Sequence, residues 1–254
     1  MQKLVITTIT GGLLAASSAV AGDFSVPIQP VAPATAPLIA GTIGSLSAGY
    51  KNVYTFRGIN SGNDLTETQL DLATKVGDLE LSLGAWYGSI EDAAGSRNPV
   101  KGVNYDELDI YGAVAKDLGF ATVSVGYIHY KYFNDFDDAQ EVSFGISKEL
   151  HGFSASLTYF WDVETDNDGY TELGLGKTFD FMNQSININL AVGYLVEQSG
   201  FSHATLSASY DVPFGQATLT PYVAQVWELD ELETTAGGSQ SNEFIGGLNL
   251  SVSF

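Results

Sequence analysis

The chain has 254 residues, no cysteine, and 10 basic against 30 acidic residues, which gives a formal net charge of −20 at pH 7. This charge argues against a nucleic-acid partner, because phosphates require a basic surface. Without cysteine there is no disulfide framework, thiolate metal site or thiol nucleophile. A hydrophobic content of 44% excludes a disordered acidic tail.

The first 45 residues predict an export signal followed by a linker. Residues 1–21 are organised like a cleaved signal peptide, with Lys3 as the positive charge, a short apolar run, and Ala19-Val20-Ala21 as the cleavage site. Residues 22–45 contain four of the seven prolines and are expected to form a periplasmic linker, because proline resists strand pairing. An N-terminal anchor helix is the alternative, but a spanning helix needs about 20 apolar residues.

From Leu46 onward, apolar and polar residues alternate with a period of two, which is the signal of a strand with two different faces. In the last segment, Leu248, Leu250 and Val252 fall on one face and small polar residues on the other. Twelve such segments predict an all-β fold, a transmembrane antiparallel up-and-down β-barrel of about 12 strands over residues 46–254. The predicted strands are 46–58, 66–76, 79–88, 105–116, 120–131, 140–150, 153–163, 170–179, 185–196, 203–211, 217–228 and 243–254.

The connections between these strands alternate between short and long, which is typical of barrels in the outer membrane of Gram-negative bacteria. A soluble β-sandwich or barrel also alternates. The strands here are about ten or more residues long, as a tilted membrane-spanning strand requires, so we expect the lipid of the outer membrane to be a partner. The predicted long connections are 59–65, 89–104, 132–139, 164–169, 197–202 and 229–242.

Aromatic residues concentrate near the predicted strand ends, as in the interfacial girdles of membrane barrels. The carboxyl-terminal Phe254 resembles the terminal signature that the barrel-assembly machinery reads in bacterial outer-membrane barrels, which makes that machinery an expected partner. The predicted girdle comprises Tyr50, Tyr54, Phe56, Tyr87, Tyr127, Tyr159, Trp161, Phe179, Tyr194, Tyr210, Trp227 and Phe254.

One short motif resembles a known family. The stretch Tyr54-Thr55-Phe56-Arg57-Gly58-Ile59-Asn60 is similar to the Y-x-F-R-G-[IV]-[ST] motif that opens the barrel of TorF-type porins, with Asn60 in place of the usual Ser or Thr. The resemblance implies an outer-membrane channel and an Arg57 that faces the lumen. It does not imply a particular solute.

Strand phasing projects many carboxylates and few basic groups into the lumen. Lys75 and Glu80 are expected to pair near a short turn, and the hairpin register is expected to set Arg57 opposite Glu67. The same phasing also turns Glu80, Glu149, Asp162, Asp211 and Glu243 inward. The predicted pore-lining residues are Lys51, Arg57, Glu67, Asp71, Glu107, Asp109, Glu141 and Glu172.

No pattern in the chain predicts catalysis, a cofactor or a metal site. The three histidines, His129, His151 and His203, lack the spacing of a zinc site or a hydrolytic triad. The acidic segment from Glu164 to Gly169 resembles the start of a calcium loop, but Leu175 stands where that loop needs a bidentate glutamate. Solvated loop charge is the simpler interpretation.

Two functions therefore remain open. The first is a channel for passive diffusion of small solutes, with a preference for cations that follows from the excess of inward carboxylates. The second is a non-conducting structural or surface-binding barrel. Inward glycines favour an open lumen, whereas bulky inward residues favour a filled one. The bulky inward residues are Trp86, Tyr111, Ile128, Tyr130, Phe160 and Tyr222, and the inward glycines are Gly49, Gly84, Gly88, Gly126, Gly145, Gly174, Gly176, Gly193 and Gly247.

Overall fold

The computed structural model describes residues 41–92, 94, 95, 98, 99, 104–133, 137–163, 169–181, 184–230, 239, 240 and 242–254. The predicted signal peptide and nearly all of the predicted linker lie outside the described residues. Among those described, no helix is long and apolar enough to cross a membrane.

Twelve long strands form one antiparallel sheet. The strands are β1 (Thr42–Phe56), β2 (Ile59–Val76), β3 (Leu79–Glu91), β4 (Tyr105–Asp117), β5 (Thr122–Tyr132), β6 (Ala139–Leu150), β7 (Phe153–Asp162), β8 (Tyr170–Phe181), β9 (Gln184–Leu195), β10 (Gly200–Phe214), β11 (Ala217–Glu228) and β12 (Glu243–Ser253). Two short pairings accompany them: Ala94–Gly95 pairs with Asn98–Pro99, and Ser239–Gln240 pairs with Ile59 and Asn60 at the start of β2.

Pairing of the first strand with the last closes the sheet into a barrel. Each strand pairs with its neighbours in the chain, and β1 also pairs with β12, from Ser45 opposite Ser253 to Lys51 opposite Gly247. Closure removes the unpaired edges that lipid cannot hydrogen-bond. The predicted twelve-stranded antiparallel barrel is therefore confirmed.

The observed strand boundaries lie within a few residues of the boundaries predicted from the sequence, except in the first hairpin. β1 begins at Thr42, four residues before the predicted start, and β2 begins at Ile59. The predicted long connection 59–65 is wrong, because Arg57 and Gly58 alone join the two strands. Their φ angles of +53° and +81° fit a two-residue type I′ turn, which suits strands with a right-handed twist.

Large apolar side chains cover the outside of the barrel. Leu248, Leu250 and Val252 are 45%, 45% and 39% exposed, as predicted for residues that face lipid. Among the predicted girdle residues, those exposed on the outside include Tyr50, Tyr87, Tyr127, Trp161, Phe179 and Trp227. An apolar outer face around a closed antiparallel wall identifies this chain as a barrel of the outer membrane.

Two of the predicted girdle residues lie inside instead. Tyr54 is 2% exposed, and Phe56 packs against the same buried aromatic cluster. The prediction was wrong because the end of β1 does not stay in the wall, as described below.

The carboxyl-terminal residue completes the closure. The backbone N–H of Phe254 donates to the carbonyl of Gly44 at 2.9 Å, and the N–H of Gly44 donates to the carbonyl of Phe254 at 2.8 Å. The Phe254 ring occupies the space above Gly44, where an added Cβ would lie 2.6 Å from Cε2. Phe254 therefore anchors the seam between β1 and β12.

Deleting Phe254 should reduce the amount of folded barrel in the outer membrane several-fold without reducing export, because the seam loses two hydrogen bonds and its covering ring. Heat-modifiable mobility of the membrane fraction measures the folded amount. Phe254→Tyr keeps the ring and should behave like the wild type. Equal folded yields for the deletion and the wild type would contradict this role.

Candidate pore and its constriction

The inner wall is small and polar toward the end with short turns. Asn187 donates from Nδ2 to Asp211 at 3.0 Å and accepts from the Thr178 hydroxyl at 2.8 Å, while the Thr220 hydroxyl donates to Asp211 at 2.7 Å. The Asp211 carboxylate thus accepts hydrogen bonds from two uncharged donors, the Asn187 amide and the Thr220 hydroxyl. Other small inner-wall residues include Ser45, Ser47, Ser207, Ser209, Asn249 and Ser251.

The first hairpin leaves the wall toward the other end of the barrel. Pairing of β1 with β12 stops at Lys51, and the Asn52 side chain then takes over, donating to the Phe244 carbonyl at 3.2 Å and accepting from Gly246 N–H at 2.7 Å. A bulge lies between Tyr54 and Thr55. Bulges bend a strand and increase its twist. We call residues 52–65 the crossing hairpin.

The tip of the crossing hairpin reaches the opposite wall. The Arg57 guanidinium donates from Nη1 and Nη2 to the two carboxylate oxygens of Glu141 on β6, at 2.7 and 2.6 Å. Its Cζ lies 5.1 Å from the Phe160 ring on β7 and 4.4 Å from the Tyr170 ring on β8. Bidentate pairing and ring stacking are the contacts that arginine favours.

The predicted pairing of Arg57 with Glu67 is wrong. Arg57 lies in the turn and not in β1, so no register partner faces it. Glu67 instead accepts from Lys51 Nζ at 3.1 Å and from the Trp86 indole N–H at 2.9 Å. The predicted pair between Lys75 and Glu80 is present, at 2.7 Å.

Gly58 allows the tip to dock against β10. A Cβ added to Gly58 would lie 2.5 Å from the Cβ of His203, which is fully buried. The His203 ring stacks on Tyr170 at 6.4 Å and contacts the Ser202 hydroxyl at 2.9 Å. Only glycine combines this closeness with a positive φ at low cost.

Other predicted pore residues lie around the crossing hairpin. Glu107 is 2% exposed and accepts from the Tyr54 hydroxyl at 3.2 Å. Asp109 is fully buried close to Glu107, and neither oxygen of its carboxylate has a hydrogen-bond partner in the described part of the chain. Both groups are thus covered and do not face open water in this conformation.

Asp71 and Glu172 sit in less enclosed positions. Asp71 accepts from the Tyr111 hydroxyl at 2.6 Å and from Gln69 Nε2 at 2.9 Å. Glu172 accepts from the Tyr170 hydroxyl at 2.9 Å. Both keep partial exposure on the inner face of the barrel.

Aromatic side chains fill the space between the crossing hairpin and the wall. Tyr54 and Leu65 of the hairpin belong to one buried cluster with β3, β4 and β5, and the rings of Tyr54 and Trp86 lie 5.8 Å apart. All six bulky inward residues predicted from the sequence are buried. The wall residues of this cluster are Trp86, Ile90, Tyr105, Tyr111, Ile128 and Tyr130.

Inward glycines make room for these rings. A Cβ on Gly84 would lie 2.3 Å from the Tyr111 ring, and one on Gly247 would lie 2.4 Å from the Tyr222 ring. The space beside each of these glycines is therefore filled by an aromatic ring and does not add to the open lumen. We call these two glycines ring seats. Sequence phasing found the glycines and the rings separately, but not that they stack on one another.

The loop side carries further acidic residues. Lys131 Nζ donates to the two Asp138 oxygens at 3.0 and 2.9 Å, and this hydrogen bonding lowers the pKa of the Asp138 carboxyl below its usual value. Most of the calcium-like segment, 164–168, lies outside the described residues. In the parts of the chain that are described, no group of three or more His, Asp or Glu side chains could hold a metal ion.

Comparisons with known proteins bear on the fold. No family model matches the chain, and no curated protein matches it. Among solved structures, an outer-membrane channel from Pseudomonas putida F1 superposes with a TM-score of 0.54 at 13% identity, over 88% of this chain and 100% of that one. The KdgM porin superposes with a TM-score of 0.51 at 8% identity, over 83% and 99%. These similarities show a shared barrel fold.

Two neighbouring glycines of β12 provide a test of the ring seats. Gly247→Val should displace the Tyr222 ring and destabilise the barrel by about 1–3 kcal/mol, the usual cost of overpacking. Gly246→Val is the matched control, because a Cβ there meets nothing within 4 Å. The measurement is the temperature at which the folded band disappears on gel electrophoresis. Equal melting temperatures for the two variants would contradict the interpretation that Gly247 makes room for the Tyr222 ring.

Proposed function

We propose that this protein is an outer-membrane channel for passive diffusion of small solutes, with a preference for cations. The observation that carries the proposal is a closed barrel whose inner wall is polar and carries an excess of carboxylates. The resemblance of residues 54–60 to TorF-type porins and the fold shared with a known outer-membrane channel support it. The proposed function is passive and needs no cofactor.

The charge of the inner wall supports the cation preference. Lys51, Arg57 and Lys75 each pair with one carboxylate, namely Glu67, Glu141 and Glu80. These three basic groups thus have acidic partners among the described residues, and the inward carboxyl groups outnumber them. A narrow passage with low-dielectric walls focuses this field and raises the local concentration of cations.

Export and assembly form part of the same proposal. Residues 1–21 act as the cleaved signal peptide, and residues 22–45 supply a periplasmic linker of which the last residues join β1. The barrel-assembly machinery recognises the terminal strand that ends in Phe254. Lipid then covers the apolar outer face.

A non-conducting structural or surface-binding barrel is the second candidate. The observation that favours it is the buried aromatic cluster, which fills the space near the crossing hairpin. Passage of ions separates the two candidates directly, since a filled barrel cannot conduct.

Reversal potentials in planar bilayers with a salt gradient should have the cation-selective sign for the wild type. Replacing Asp71 with Asn and Glu172 with Gln together should reduce the potential, because both carboxylates lie on the inner face. The selectivity should weaken as salt rises, since the screening length is about 8 Å at 0.15 M.

The matched control replaces Asp137 and Asp138 with Asn on the loop side, where water screens the charge and Lys131 already compensates Asp138. This control should change the potential less than the inner pair does. A potential of the anion-selective sign would overturn the cation preference. Absence of conductance in folded wild type and in every folded variant would favour the second candidate.

A further inference from the structure

The crossing hairpin is held only weakly by the wall to which it belongs. Beyond Lys51, β1 no longer pairs with β12, and the pairing of β2 with β3 is interrupted between Asn63 and Thr66. Residues 52–65 therefore form a ribbon whose two strands pair mainly with each other. Their outside pairings among the described residues are short: Ile59 and Asn60 with Gln240 and Ser239, and Asn63 with Glu91. Isolated ribbons of this kind are marginally stable, so contacts of the side chains decide where it lies.

These contacts direct the ribbon across the lumen. In the closed strand order, β7 lies six positions from β1 in either direction, which is the opposite side of the barrel. Arg57 contacts β6, β7 and β8 through Glu141, Phe160 and Tyr170. Gly58 docks on His203 of β10. The crossing hairpin thus extends across the full width of the barrel, and its tip contacts the opposite wall.

The ion pair between Arg57 and Glu141 fastens the tip of the hairpin, and we call these two residues the clasp. The guanidinium pairs with both oxygens of Glu141, which also accepts from the Tyr130 hydroxyl at 2.9 Å. Arg57 holds a positive φ, which is uncommon for a residue with a side chain and costs conformational energy. Removing one partner of a buried ion pair is strongly unfavourable, so the clasp determines the position of the tip.

Besides the backbone strain at Arg57, release of the hairpin would relieve the energetic cost of burying two carboxyl groups. Glu107 and Asp109 lie buried below Tyr54, and neither forms an ion pair among the described residues. Burying carboxylates without a basic partner is costly. Lifting Tyr54 would return both groups to water and expose them to passing cations.

We propose that the crossing hairpin is a strap that closes the lumen, fastened by the ion pair between Arg57 and Glu141 on the opposite wall. The inference rests on the proposed channel function and names its regulation. With the strap fastened, the aromatic cluster occludes the half of the barrel that carries the loops. With the strap released, the lumen opens onto the small polar residues of the other half.

Variants of the clasp test the proposal in planar bilayers. Arg57→Ala should raise the mean conductance several-fold and convert brief openings into steady ones, and Glu141→Gln should act in the same direction. Lys131→Ala is the matched control, because it removes a basic group and breaks a 2.9 Å ion pair on the loop side, away from the strap and the inner-wall charges. Its conductance should stay at the level of the wild type.

A cross-link provides an independent test, because the chain contains no cysteine. Tyr54→Cys combined with Glu107→Cys, with the two thiols bridged by a reducible bifunctional methanethiosulfonate, should hold the hairpin on β4 and suppress conductance, and a reductant should restore it. Each single-cysteine variant should be insensitive to the reductant. This pair also keeps the proposal testable if the clasp variants fail to fold, which heat-modifiable mobility would reveal.

The outcomes separate the strap from the channel itself. Equal conductance of folded Arg57→Ala and wild type, or a cross-linked barrel that conducts like the reduced one, would overturn the strap and leave the channel intact. A complete lack of conductance in every folded variant, including the reduced cysteine pair, would overturn the channel function and the strap with it.

Discussion

The hydrocarbon interior of a membrane offers no hydrogen-bond partner to the peptide backbone, and this constraint shapes the whole molecule. Every strand must therefore pair on both sides, which the ladder between β1 and β12 achieves. Once the wall is closed, alternate side chains must face lipid and lumen. The exposed Leu248 and Leu250 and the inward Asn249 are direct consequences of this period of two.

The same constraint explains how the first hairpin can leave the wall. Its two strands pair with each other, and the Asn52 side chain replaces the backbone partners that β12 loses. Inside the lumen, Tyr54 and Arg57 bring their own polar groups to Glu107 and Glu141, so that carboxylates and hydrogen-bond donors meet away from water. Wall glycines such as Gly84 provide the space that the rings occupy. Closure of the wall and filling of the lumen are thus one packing problem.

Most of the wall was predictable from the sequence because alternation and turn residues are local properties. The twelve strands and the pair between Lys75 and Glu80 followed from them. The partner of Arg57 did not, because Glu141 lies across the lumen and strand register relates only adjacent strands. A local signal for the turn was present, since glycine after Arg57 favours a two-residue hairpin. The expected long connection over 59–65 was placed there instead. Whether the inward groups line a conducting path stays a prediction.

Nuclear Overhauser contacts in the barrel folded in detergent would show whether the first hairpin crosses the lumen. We predict contacts between the Gly58 α protons and the side chain of His203. We also predict a loss of backbone contacts between β1 and β12 beyond Lys51. A ladder that continues from Lys51 and Gly247 to backbone contacts between Tyr54 and Phe244, without any contact from Gly58 to His203, would contradict the crossing.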